Sequence, residues 1–338
     1  MKIPPKYFLT PEISQLLQTI EANREVINSI STPLEIETNI RRKSILKSSL
    51  FSARIEGNNT TEDTLSQLSS KDQKHHEIFN ILKALEWILQ RSARDFNTKD
   101  LLTLHQMVMS NLVEKSDLGK FRTEVSAIFN SAGIAIYMPP SPGKMSSLIT
   151  KLLKFVNSSK EQFTPIKACL AHYTFEKIHP FLDGNGRIGR LFLQAVLNKG
   201  DYGMKGMAVI EEYLDNHRSA YYQTLETSEN DVTDFLQFML EAIASASEKA
   251  KQQILEKQKI SVEDLLLPRR AEILNIIQDH GLINFDTIKR RFMSINERTL
   301  RYDLKKLADQ GLIRKRGTTK GVYYEPIKNS TTSPSFIS

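Results

Sequence analysis

The tightest constraint on this chain is one bend of twelve residues: His179-Pro180-Phe181-Leu182-Asp183-Gly184-Asn185-Gly186-Arg187-Ile188-Gly189-Arg190. Ahead of it, Ile166, Ala168, Leu170, Ala171, Phe175 and Ile178 surround much of a helical wheel, which predicts a buried helix over 165–178. Pro180 stops that helix just past His179. A second buried helix begins near Arg187, with Ile188, Leu191, Phe192, Ala195 and Val196 on its inner face. Two hidden helices joined through Gly184-Asn185-Gly186 commit the chain to a helical core with bare backbone at a helix start.

That backbone is suited to an anion. Glycines let the chain approach a ligand closely, and the unpaired N–H groups of a helix N-terminus, with its dipole, attract negative charge. Arg187 and Arg190 lie three apart on one turn, so both can address the same ligand, and their forks suit phosphate oxygens. Asp183 offers the hard oxygen that magnesium takes beside a polyphosphate. His179 can accept a proton from a hydroxyl near neutral pH. The plain alternative, a glycine turn between core helices, leaves the histidine, the aspartate and both arginines unexplained.

Most of the remaining chain reads as helices. Thr10-Pro11 opens one with Ile13, Leu16, Leu17 and Ile20 as its stripe. Others run over about 37–56, 75–91, 98–113 and 146–157. Thr164-Pro165 repeats the start signal for 165–178, and Gly200 closes 187–199. Val125–Phe129 and Ile134–Met138, around Asn130-Ser131-Ala132-Gly133, read instead as a β-hairpin ending at Pro139-Pro140.

The 46 Lys+Arg exceed the 39 Asp+Glu by seven. Arg269 to Glu325 alone hold thirteen basic and seven acidic residues, a surplus of six, which points to a polyanion-binding module there. One cysteine, Cys169, excludes an intrachain disulfide and fits a reducing compartment, so a cytoplasmic location is expected. The longest apolar run, about Ala132–Met138, falls far short of a membrane span.

The bend resembles the signature of the Fic (filamentation induced by cyclic AMP) family, His-x-Phe-x-(Asp/Glu)-Gly-Asn-Gly-Arg-x-x-Arg, at all eight specified positions, and the resemblance extends over about 45–240. It implies a protein adenylyltransferase that moves AMP from ATP to a Ser, Thr or Tyr hydroxyl of a protein target or of the chain itself. His179 would be the base and Asp183 the Mg2+ ligand. Gly184, Asn185, Gly186, Arg187, Ile188, Gly189 and Arg190 would line the ATP site. Phe181 would anchor the loop in the core, and the hairpin would be a flap that holds the target by strand addition. Tyr221 and Tyr222 resemble family positions near the adenine.

Upstream stands Ser52-Ala53-Arg54-Ile55-Glu56-Gly57. A carboxylate in a helix's last turn opposes the dipole, so Glu56 calls for a tertiary partner. The hexapeptide resembles the family's inhibitory motif, (Ser/Thr)-x-x-x-Glu-(Gly/Asn), in the N-terminal position called class II. Glu56, with Ser52 on its face, would then pair with Arg190 and exclude the γ-phosphate. Some relatives use this glutamate to remove AMP, and the sequence does not separate the two directions.

The basic end reads as three short helices and a two-stranded ribbon, resembling a winged helix-turn-helix. Arg298, Arg301, Tyr302 and Lys305 would line the exposed recognition face and Lys320 the wing, placed to meet duplex DNA. A protein-interaction module is the other reading, and a homodimer stays open.

The expected fold is mostly α. It comprises N-terminal helices over 1–110 with the inhibitory helix at about 37–57, and a Fic helical bundle with its flap over 111–242. A helical linker over 243–266, a winged helix over 267–328 and a disordered tail over 329–338 complete it. The alternative function is a DNA-binding regulator whose nucleotide site only senses. His75, His76, His105, His172, His217 and His280 show no constellation, His172 reads as a satisfied core histidine, Cys169 as inert and Trp87 as packing.

Overall fold

The computed structural model describes residues 1–65, 67–69, 72–91, 94–129, 135–256, 266–293, 295–317 and 322–327, apart from the side chains of 129 and 136. The chain forms two compact units, Met1–Thr32 with Ile40–Glu256, and Pro33–Asn39 with Lys257–Ser338. The expected division near residue 110 falls inside the first. The hairpin turn at 130–134, residues 257–265 of the linker, Lys320 in the wing and the C-terminal tail lie outside the described residues.

The first unit is almost wholly helical. Its elements are α1 (Pro11–Ser29), α2 (Leu34–Ile55, of which the residues up to Asn39 fall in the second unit), α3 (Glu62–Leu65), α4 (Gln73–Gln90) and α5 (Thr98–Met109). The hairpin β1 (Ile128–Phe129) and β2 (Ala135–Tyr137) follows. Then come α6 (Met145–Asn157), α7 (Thr164–Ile178), α8 (Asn185–Lys199), α9 (Ile210–Asn216), α10 (Arg218–Leu225) and α11 (Thr233–Glu256). α1 packs along α11, and α7 lies against α6, α8 and α11. α7 is apolar nearly all round and is buried from Pro165 to Phe175 except at Lys167, which makes it the axis of the unit. None of the described helices is long and apolar enough to cross a membrane.

Local chemistry sets the helix ends. Thr10 accepts a hydrogen bond from Ile13 N at 3.2 Å, with Pro11 in the first turn. Replacing Thr10 with alanine is expected to lower stability by about 1 kcal/mol in urea unfolding, and an unchanged midpoint would show that the cap carries nothing. Asn97 and Asp100 form a reciprocal capping box on α5. Thr164 differs from expectation: it is the first helical residue of α7, and Phe163 is the cap, without a side-chain bond. α5 stops at Met109, short of 113, because Asn111 takes a left-handed φ of 62°. Gly200 ends α8 at φ −93°, so its helix stop uses no special glycine conformation.

The hairpin is shorter than the sequence pattern. β1 pairs antiparallel with β2 through Ile128↔Tyr137 and Phe129↔Ala135. Residues 125–127 do not join it, and Val125 is exposed. The Arg122 guanidinium explains the early departure, donating to Glu124 O at 2.8 Å on one foot and Pro140 O at 2.6 Å on the other.

In the second unit the order is α12 (Pro268–His280), β3 (Ile283–Asn284), α13 (Phe285–Arg291), α14 (Glu297–Asp309), β4 (Ile313–Arg316) and β5 (Tyr323–Pro326). The strands form an antiparallel sheet in the order β3-β5-β4, so a short strand the sequence pattern missed completes the expected ribbon. Ile273, Ile277, Ile288, Leu300, Leu304, Leu307 and Ile313 close its core. Asp303 is buried and accepts from Arg269 Nε at 2.5 Å and Arg270 Nε at 2.9 Å. Two of the thirteen basic residues are therefore spent inside the unit.

Candidate active site

His179 caps α7 in the left-handed region, φ 49° and ψ 62°, its N–H donating to Phe175 O at 2.9 Å. Such a conformation is uncommon outside glycine and is held here by neighbours. Arg122 Nε donates to His179 O at 2.7 Å, and Arg122 N to Pro180 O at 2.9 Å. Burial, then the Arg122 charge, push the imidazole down to about 4, so it is neutral at physiological pH. Its Nδ1 is buried with no hydrogen-bond partner among the described residues.

Phe181 is fully buried, stacked on His105 at 4.0 Å and tilted against Phe121 at 5.4 Å. Asn185 turns its amide back on the loop, accepting from Phe181 N at 2.9 Å and donating to Phe181 O at 2.8 Å. Its side chain thus braces the turn, and what it offers a ligand is backbone. Gly184, at φ 82°, opens α8; Ile188 is bonded to Gly184 O, which leaves the N–H groups of Asn185, Gly186 and Arg187 facing out of the helix end. Ile188 is fully buried, and the Cβ position of Gly189 is filled by Glu176, so neither presents a side chain to the loop.

Arg187 donates to Glu77 Oε1 at 2.5 Å and Asp183 Oδ1 at 3.0 Å. The Asp183 side chain is 59% exposed, which fits a metal ligand completed by phosphates and water. No group of three or more His, Cys, Asp or Glu with metal-binding geometry occurs among the described residues.

Glu56 and Arg190 are in contact. Arg190 Nη2 donates to Glu56 Oε1 at 2.9 Å and to Ser52 O at 2.9 Å, while Nε donates to Ser52 Oγ at 3.0 Å. Burial opposes the Glu56 charge, but Arg190 and Arg187 outweigh it and hold the carboxyl below its usual range. A Cβ on Gly186 would lie 2.5 Å from Glu56 Oε1 and 3.2 Å from Arg190 Nη1. The glutamate therefore lies across the helix start itself. Gly57, at φ 99°, ends α2 directly behind it.

The tyrosines part company. Tyr221 is buried with its hydroxyl 2.8 Å from His172 Nε2, whereas Tyr222 is 43% exposed and the one open to a ligand. His172 is only half satisfied, its Nδ1 buried 3.9 Å from Glu176 Oε1 with no hydrogen-bond partner among the described residues. Burial takes His172 down to about 3 and the Glu176 carboxyl up to about 8. His105 accepts from Gly119 N at 2.9 Å and faces Asp183 O at 3.3 Å, so it shapes the loop that its sequence context had not tied to any site. Glu77 and Arg122 were missed as well. Cys169 is buried, its thiol pushed up and unreactive.

Residues 95–197 match the model of the Fic/DOC family. The curated relatives include "Protein adenylyltransferase Fic" of Drosophila melanogaster, 27% identical over 246 residues, covering 69% of this chain and 46% of that protein. The Aedes aegypti protein of the same name is 29% identical over 236 residues, 66% of this chain and 45% of that one. The chain thus spans a little under half the length of these relatives. Among solved structures, a Fic family protein from Desulfovibrio desulfuricans G20 covers 97% of this chain and 99% of its own at a TM-score of 0.65 and 23% identity. Fic-1 of C. elegans covers 73% of each at 0.58 and 20%. Residues 95–197 thus match the Fic/DOC family in sequence, and the chain shares the fold of a solved Fic family protein.

Proposed function

We propose that the chain is an auto-inhibited protein adenylyltransferase. A neutral, buried imidazole beside an open helix start whose second arginine is held by a carboxylate carries this reading. His179 takes the proton of a target hydroxyl; the oxygen attacks the α-phosphorus of ATP, the bond to the bridging oxygen breaks, and pyrophosphate leaves. The N–H groups of Asn185, Gly186 and Arg187 receive phosphate oxygens, with Arg187 and Arg190 on the outer ones. Asp183 fits a magnesium ion, which would neutralise phosphate charge when bound. Glu56 withholds Arg190 from the γ-phosphate until displaced. The curated relatives named protein adenylyltransferase support the reaction class.

The direct test compares ATP labelled at the α-phosphate with ATP labelled at the γ-phosphate. Protein-bound label is expected only from the first. Equal label from the second would mean phosphate transfer and overturn the reading.

A second reading concerns the other unit. Arg298, Arg301, Tyr302 and Lys305 are all exposed on α14, as Lys315 is on β4, and this face is matched in charge to duplex DNA. Arg301 also leans 3.8 Å over the Phe285 ring, which fixes its direction. The full chain is expected to bind duplex DNA with an affinity that falls steeply with salt, and Lys305→Ala to reduce the salt slope by about 1. Salt-independent retention would favour a protein-interaction surface instead.

A further inference from the structure

Glu77, on α4, holds two groups at once. One carboxylate oxygen accepts from Arg187 Nη1 at 2.5 Å, and the other from Asn58 Nδ2 at 2.8 Å. Arg187 stands at the helix start that receives the anion, and Asn58 follows Glu56 by two residues. Asn58 also closes the end of α2, because its backbone N–H reaches Ala53 O at 3.1 Å across left-handed Gly57, a six-to-one helix stop. Its amide is further fixed by donating to Lys74 O at 3.1 Å. One carboxylate thus joins the segment that aims Glu56 to the guanidinium that faces the phosphates.

The strut is built to be rigid on one side and yielding on the other. The Glu77 and Arg187 side chains are 12% and 9% exposed, whereas Asp183, the other carboxylate on Arg187, is mostly open to solvent. Truncating one partner of a buried charge pair leaves the other uncompensated, so Glu77 cannot release Arg187 without a replacement anion. A polyphosphate at the helix start is such an anion.

We infer that Glu77 is a positioning residue that couples nucleotide arrival at Arg187 to the seating of Glu56 on Arg190. While Glu77 grips both Arg187 and Asn58, the end of α2 is held and Glu56 stays in place. As phosphate oxygens take over Arg187, the grip on Asn58 slackens and the last turn of α2 can move. The inference rests on the reading of Glu56 as a brake.

The test uses the full chain with Glu77→Gln and Asn58→Ala, each alone and combined with Glu56→Gly. Glutamine puts an NH2 donor where one carboxylate oxygen accepted, so it cannot accept from Arg187 and Asn58 on opposite sides as Glu77 does. Mg-ATP affinity is measured by calorimetry, and self-labelling is followed with α-labelled ATP. Each variant is expected to bind Mg-ATP at least threefold more tightly than wild type and to label more, with no such gain over Glu56→Gly in the combined variants. Lower affinity in both backgrounds would overturn the inference, since Glu77 would then serve only to place Arg187. If circular dichroism shows Glu77→Gln misfolded, Asn58→Ala decides alone, because it leaves the Glu77–Arg187 pair intact. A Glu56→Gly chain that binds tightly but does not label would sink the transferase reading and leave the affinity test of the strut standing.

Discussion

Glu56→Gly is expected to raise self-labelling from α-labelled ATP at least tenfold over wild type, and adding His179→Ala is expected to abolish the gain. The first effect follows from geometry. Arg190 is 1% exposed, with Nε on Ser52 and Nη2 shared by Ser52 and Glu56, so on the proposed reading Glu56 occupies the approach a γ-phosphate would take. Removing Glu56 also strands a buried charge. The apo variant should therefore melt below wild type and recover with Mg-ATP, whose phosphate replaces the lost carboxylate. The second effect has the usual size of a lost general base, about 10²–10⁴ in rate. Because burial holds His179 at about 4, labelling should show no histidine titration between pH 6 and 8. Label that survives His179→Ala in the Glu56→Gly background would mean another group takes the proton.

The other large effect is a pH dependence of stability centred on Glu176. Burial lifts its carboxyl from the ordinary 4.5 to about 8, with Arg190 pulling it down and Glu56 adding to the rise. Between those values the folded chain keeps a proton that the unfolded chain has lost, so stability falls as pH rises. His172 and His179, held at about 3 and about 4, act oppositely, costing stability as pH falls below 6.5. Thermal melts between pH 6.5 and 8.5 isolate Glu176. Glu176→Gln, which cannot ionise, should gain on wild type across that range by roughly 2 kcal/mol in all. Parallel curves would show that Glu176 is already charged at neutral pH.

The candidate site was legible where function sits in consecutive residues. The loop from His179 to Arg190 displays its glycines, its histidine and its arginines in one stretch, and Glu56 announced itself by standing where a helix dipole rejects it. The partners were hidden for a physical reason. Glu77 and Arg187 are 110 residues apart, and His105 and Asp183 are 78 apart, so no period or spacing links them. His172 and Glu176, one turn apart on α7, look like ordinary helix residues until Gly189 of α8 brings a second backbone against them. Helix ends slipped by a few residues wherever a backbone choice, such as left-handed Asn111, outweighed the apolar pattern. In the hairpin, alternation exaggerated the strands because it cannot register a guanidinium that binds both feet.

That guanidinium has a mechanical consequence. Arg122 ties the carbonyls of Glu124, Pro140 and His179 to one rigid plane, so the roots of the hairpin and the imidazole loop move as a single piece. On the proposed transferase reading, in which the hairpin holds the target, a substitution that spares these three carbonyls would leave the His179 loop in its present geometry.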